Sequence, residues 1–249
     1  MRSLRPLNPL PSLRWAWSRI QQHFWYKCLG SNAFMVAFFS AYIYLLKHPR
    51  GPVTIMPLTV VDHWVGVHPL ALPIYLSLWL YVCLPPALML RRSEVTGYGV
   101  RIGLLCLTGL AIFYLWPNAV PPAHIDWAQY PGMTMLKGVD AAGNACPSLH
   151  VATAVFACCW LHWLAPTTGF SRAFRRFNFI WCAAIAYSTL ATKQHVSIDV
   201  FFGALLGGLS AWVMRPRFVY ATRPDTASSL APSLAPEEAS MASTSTLGT

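Results

Sequence analysis

Six apolar stretches, each bounded by polar or basic residues, divide this chain: Ala33–Leu46, Leu70–Leu90, Tyr98–Trp116, Ser148–Ala165, Phe177–Thr192 and Ile198–Met214. A straight helical crossing of a bilayer needs about 20 mostly apolar residues, within a range of roughly 17–25. The pattern predicts an all-α fold, a polytopic membrane bundle of about six transmembrane helices. Ala33–Leu46 is short and aromatic, and Cys28–Asn32 can lengthen it. Leu70–Leu90 is uncharged, and Pro85-Pro86 is expected to bend its end. Gly203 and Gly207 form a G-x-x-x-G in the sixth stretch, which predicts close packing against a neighbouring helix.

Charge orients the bundle. Only 10% of the residues are charged, against about 25% in a soluble domain. The net charge is +10, but the basic residues lie between the apolar stretches and form no single patch, so nucleic acid is excluded as a partner. With the N-terminus cytoplasmic, every Lys and Arg except Lys47, Arg50, Lys137 and Lys193 falls in an inner segment. That is the positive-inside pattern, and it makes both termini cytoplasmic. Residues 1–32 are then a basic cytoplasmic segment, 33–214 the membrane-embedded domain, and 223–249 an Ala/Ser/Thr/Pro-rich disordered tail. No cleaved signal peptide is expected, the first span serving as targeting signal. The Pro- and Ala-rich composition points to a bacterial inner membrane.

Seven scattered cysteines make no disulfide framework, and no C-x-x-C pair suggests zinc. The loop 117–147 is long and rich in Pro, Gly and aromatics; it is expected to fold over the outer face, with residues 47–69 as a second cover.

Two short stretches carry candidate chemistry, both at outer helix ends. In Cys146-Pro147-Ser148-Leu149-His150 the serine is a favoured N-cap after a proline. The first N–H groups of the helix that follows are free to bind an oxyanion, and His150 sits in that first turn. In Lys193-Gln194-His195-Val196-Ser197-Ile198-Asp199 the histidine and the acid are four apart. On a helix beginning near Ser197, Asp199 projects back toward His195. A carboxylate on one imidazole nitrogen leaves the other free to attack as a nucleophile. Lys193 would add positive charge for phosphate oxygens. One histidine attacks phosphorus while the other protonates the leaving oxygen, help typically worth about 10²–10⁴-fold. Blander readings stand beside this one: a plain cap with an interfacial histidine, a salt-bridged surface cluster, or a metal site of His150, His195 and Asp199. His63, His68 and His124 lie in outer loops, and Asp126, Asp140 and Asn144 are candidates for headgroup contact there.

Pro147-Ser148-Leu149-His150, followed by His195 and Asp199, resembles the second and third signature motifs of the type 2 phosphatidic acid phosphatase / vanadium haloperoxidase superfamily. The run Ser188–His195, and the stretches Met56–Thr59 and Pro73–Ser77, look more like its inositolphosphotransferase branch, which includes fungal inositol phosphorylceramide synthases. The resemblance covers roughly residues 33–214. It implies a helical bundle with an outward-facing site and no metal or other cofactor. It implies a phosphohistidine at His195, His150 as proton donor, Asp199 as orienting acid, and Ser148, Leu149 and Lys193 around the phosphate. The chain departs from the pattern in three places. Leu149 replaces the usual glycine, the arginine opening the third motif is missing at Ser188-Thr189, and no first-motif Lys-x6-Arg-Pro precedes them. Lys137 is the candidate replacement cation, and Lys137 and Gln194 are candidate substrate contacts. The expected protein is an integral membrane enzyme that hydrolyses or transfers a lipid phosphate ester at the outer, periplasmic leaflet, with a membrane lipid as its partner. The alternative is a non-catalytic lipid-binding or transport protein on the same scaffold.

Overall fold

The Ser148 side chain accepts a hydrogen bond from the Val151 N–H (3.3 Å) and so caps the helix on which the bundle is built. The computed structural model describes residues 13–123, 125–130, 132–133, 143–168 and 170–216. In chain order the helices are α1 (Leu13–Gln21), α2 (Phe24–Lys47), α3 (Val60–Trp64), α4 (Leu72–Leu76), α5 (Leu78–Tyr81), α6 (Leu84–Leu88), α7 (Arg92–Leu115), α8 (Leu149–Thr168), α9 (Arg172–Ala191) and α10 (Ser197–Val213). Two short strands, β1 (Thr54–Ile55) and β2 (Asn118–Ala119), pair in parallel. The chain divides after Arg215, and of the second unit only Pro216 is described. The expected tail 223–249 lies outside the described residues.

Helix α8 is apolar on every side, as a helix at the centre of a bundle must be. Val151, Ala152, Ala154, Phe156 and Ala157 are wholly buried. α6, α7, α9 and α10 all pack on it. The contact with α10 is the tightest, and the glycine pair explains it. A Cβ on Gly203 would collide with the Ser148 carbonyl oxygen, and one on Gly207 with that of Ala152. Both pairs are four apart, so two ridges meet backbone to backbone, as the G-x-x-x-G predicts. Outside this core the apolar character continues. Leu29 and Val36 on α2, Leu107 on α7, Ile180 on α9 and Phe201 and Trp212 on α10 are all more than half exposed.

At 24 residues each, α2 and α7 are about 36 Å long, enough to cross a hydrocarbon layer of about 30 Å. These two meet the length and hydropathy requirements for a crossing; α10 and the apolar part of α8 are shorter. The second expected span is not one helix. A 3-10 turn at Pro69–Ala71 leads into α4, α5 and α6 in sequence. Ser77 Oγ bonds back to the Ile74 carbonyl (2.6 Å) and accepts from Trp181 Nε1 (3.2 Å), which loosens the ladder there. Pro85 and Pro86 then withhold two N–H groups. The Val82 carbonyl that Pro86 cannot serve accepts from the Tyr98 hydroxyl instead (3.0 Å). α9 begins at Arg172, five residues before the expected start, because Ser171 caps it through the Phe174 N–H (3.1 Å).

Polar side chains close the remaining gaps. Asn178 accepts from the Tyr81 hydroxyl (2.7 Å) and donates to the Cys158 carbonyl (3.0 Å), tying α5, α8 and α9 together. At the end of the bundle away from His150, Lys27 donates to the carbonyls of Arg19 and Ala87, and Arg19 to that of Leu88. Basic side chains thus satisfy carbonyls that α1 and α6 leave open.

Candidate functional site

Asn118 organises the approach to α8. Its Oδ1 accepts from the N–H groups of Ala145 (2.8 Å) and Cys146 (2.7 Å), and its Nδ2 donates to the Cys146 carbonyl (2.8 Å). β2, which carries Asn118, pairs with β1, so both covering segments are joined above the head of α8. Asn118→Ala leaves two buried N–H groups without acceptors, at a cost of about 1–3 kcal/mol each. It is expected to lower the melting temperature in detergent clearly, and Asn118→Asp, which keeps the acceptor, to lower it less. Equal melting of the Asn118→Ala variant and the wild-type protein would remove this role.

From there the chain enters the second motif. The Ser148 N–H donates to the Asp199 carbonyl (3.0 Å), joining the two motifs through their backbones. Ser148 is wholly buried and its Oγ is taken by the Val151 N–H. Leu149 points at α7, where its side chain occupies the space that Gly109 leaves by having no Cβ. The missing motif glycine is thus offset by a glycine on another helix. The His150 ring stacks on Tyr75 (centroids 4.0 Å apart, 17° between planes) with Trp79 edge-on at 6.3 Å.

The third motif is a five-residue turn, Thr192–Val196, between α9 and α10. The Thr189 carbonyl accepts from the N–H groups of both Gln194 (3.0 Å) and His195 (3.2 Å), and Lys193 takes a left-handed conformation (φ 55°). Asp199 is wholly buried. Its Oδ2 accepts from the Val196 N–H (3.0 Å) and lies 3.5 Å from His195 Nδ1. That separation is an ion-pair distance, longer than a formed hydrogen bond. The Cys146 thiol is buried beside this carboxylate. Burial first, and then the Asp199 charge, push its pKa up to about 12, so it stays protonated.

His150 and His195 open onto one cavity of about 290 Å³. Asn144, Thr153 and Gln194 line it too, as does Leu149; most of the remaining wall is apolar or aromatic, including Phe34, Phe38 and Phe39 of α2 and Trp79 of α5. His150 Nε2 and His195 Nδ1 are both buried without a hydrogen-bond partner. Of the expected residues, His150, His195, Asp199, Ser148, Leu149 and Gln194 therefore come together. Lys193 does not line the cavity: its Nζ donates to the carbonyls of Asp62 (3.1 Å) and Val65, a brace rather than an open phosphate ligand. Lys137, Asp140 and His124 lie outside the described residues. Among the described residues no three His, Cys, Asp or Glu side chains are grouped closely enough to hold a metal ion.

Asn118, Asp62 and Tyr75 were not legible as site residues in the sequence. Their roles depend on partners from 27 to 135 positions away, for which no local spacing exists. The sequence carries one indirect signal: Tyr75 sits in a stretch that resembles the transferase branch.

A family model described as the PAP2 superfamily matches residues 30–223. Comparison with curated proteins gave no match, and neither did comparison with solved structures.

Proposed function

This chain belongs to the PAP2 superfamily, and from that premise we propose that it is an integral membrane enzyme cleaving or transferring a lipid phosphate ester through a phosphohistidine. Family membership points to a lipid phosphatase or phosphotransferase. The observation that carries the finer reading is the shared cavity: two histidines 45 positions apart line one mostly apolar slot suited to a lipid chain.

In this mechanism His195 Nε2 attacks phosphorus. The new N–P bond forms as the P–O bond to the leaving alcohol breaks, and His150 gives that oxygen its proton. Asp199 holds the Nδ1 proton and stabilises the ring as it becomes cationic. His150, now neutral, takes a proton from water, or from a lipid hydroxyl, as that oxygen attacks the phosphohistidine. The N–P bond breaks and His195 is regenerated. The free N–H groups at the head of α8, with Gln194 and Lys137, hold the phosphoryl oxygens. We place six crossings at α2, the broken segment α4–α6, α7, α8, α9 and α10. Both termini are then cytoplasmic and the site faces the periplasm across a bacterial inner membrane. The likeness of the Pro73–Ser77 stretch to the inositolphosphotransferase branch favours transfer, whereas membership of the superfamily alone favours hydrolysis.

The second reading, a lipid-binding or transport protein, is favoured by one feature: among the described residues no Lys or Arg lines the cavity. Mass spectrometry of products from a phospholipid panel separates the two. The purified protein is incubated with and without ceramide or diacylglycerol, in the presence of a chelator. Released phosphate means hydrolysis, a new phospholipid that requires the acceptor means transfer, and an unchanged panel with lipid bound means the second reading.

A further inference from the structure

We propose that Asp62 is a positioning residue for His195, clamping the turn that carries the nucleophile through Ser197, the residue that opens α10. The inference rests on the reading of His195 as nucleophile. Four donors converge on this one carboxylate. Oδ1 accepts from the Ser197 N–H (2.7 Å); Oδ2 accepts from Ser197 Oγ (2.9 Å), the Thr59 N–H (2.8 Å) and Thr59 Oγ1 (3.0 Å). The two hydroxyls also meet each other at 2.7 Å. Burial would raise the Asp62 pKa, but the bonds from Thr59 and Ser197 outweigh it and hold the group below its usual value. It is therefore a fixed negative charge at neutral pH.

A simpler account makes Asp62 the cap of α3, since Thr59 and Asp62 form a capping box. That account leaves half of the bonds unexplained. Those to Ser197 join segments 135 positions apart and serve the first residue of α10, two positions after His195. The same covering segment holds the turn at two further points. Lys193 Nζ donates to the carbonyls of Asp62 and Val65, and the His68 N–H donates to the Ala191 carbonyl (3.0 Å). One segment, residues 59–68, thus grips the chain before the nucleophile, at Ala191 and Lys193, and after it, at Ser197. Asp62 does not line the cavity. It acts through the backbone, on where the His195 ring points.

The effect belongs in kcat. A reacting group misplaced by about 1 Å can lose about 10²-fold in rate while ground-state binding persists. The test uses purified full-length protein with phosphatidic acid in detergent micelles, or the phospholipid selected by the panel above. Orthovanadate inhibition is read beside it as a mimic of five-coordinate phosphorus. Asp62→Ala is expected to lower kcat about 10²-fold and to weaken vanadate inhibition in parallel, with KM little changed. Asp62→Asn keeps an acceptor for the Ser197 N–H and recovers part of the rate. If the Asp62 variants do not fold, Ser197→Pro takes their place. Proline is tolerated at the first position of a helix, and Val196 already has the extended conformation that precedes one (φ −101°, ψ 165°). It deletes both Ser197 donors and is expected to show the same loss of kcat and of vanadate inhibition. Folded variants with wild-type kcat and vanadate sensitivity, or a loss confined to KM, overturn the clamp. Activity lost in His195→Ala but kept in Asp62→Ala overturns the clamp alone. Turnover that survives His195→Ala overturns the nucleophile and the clamp together.

Discussion

His195→Ala is expected to abolish lipid-phosphate turnover, by about 10⁴-fold or more, because it removes the imidazole proposed to form the covalent intermediate. Loss of rate alone does not identify a nucleophile, so the two histidines must be told apart. His150 has its Nε2 buried and unpartnered, facing the same space. Its removal costs general acid–base help, about 10²–10⁴-fold. An aryl phosphate distinguishes the roles, since its leaving group needs no proton. With that substrate His150→Ala still forms the phosphoenzyme but hydrolyses it slowly, so a radiolabelled phosphoryl group accumulates on the protein. His195→Ala incorporates no label. Label retained by His195→Ala, or absent from both wild type and His150→Ala with an aryl phosphate that is turned over, would reverse or remove the assignment. Asp199→Asn is expected to slow labelling, because an amide cannot stabilise the imidazolium that forms.

The second large effect is on stability. Gly203→Ala and Gly207→Ala each place a methyl group against a backbone carbonyl of α8, not against a side chain that could rotate away. The helices must separate, and overpacking of this kind costs about 1–3 kcal/mol per site, occasionally more. The two substitutions should differ in function. Gly203 faces Ser148, whose N–H joins the two motifs, whereas Gly207 faces Ala152, one turn further from the site. Gly203→Ala is expected to lower both the melting temperature and kcat. Gly207→Ala should lower the melting temperature about equally, with a smaller loss of activity in the folded fraction. Gly208 has open space at its Cβ position, so Gly208→Ala serves as the control and should match wild type. Wild-type melting of Gly203→Ala would mean that α8 and α10 do not pack through their backbones.

Much of this architecture is legible in the sequence. The apolar stretches marked most of the helices, and Ser148 announced the start of α8. The G-x-x-x-G found its neighbour, and His195 and Asp199 stood one turn apart. The errors have physical causes. The pattern along Leu70–Leu90 predicts a bend only at Pro85-Pro86, because hydropathy records composition and not backbone bonding. Ser77, Pro85 and Pro86 break the helix, and the break is tolerated because Trp181 and Tyr98 supply the missing partners. Lys193 read as a phosphate ligand because a lysine beside a histidine is a cation near a site. Its left-handed backbone and the carbonyls of the α3 segment turn it away.

Caps, helical spacing and loop charge act between residues within a turn or two of each other, so order along the chain is enough to reveal them. By itself the sequence determined a helical, apolar chain with two histidine motifs at helix ends and a glycine seam. Whether those motifs meet was a question of tertiary structure. So were the stacking of His150 on Tyr75, the exchange of Leu149 for Gly109, and the holding of the turns by Asn118 and Asp62. Each depends on a contact between segments far apart in the chain, where a single hydrogen bond leaves no pattern in the residues on either side.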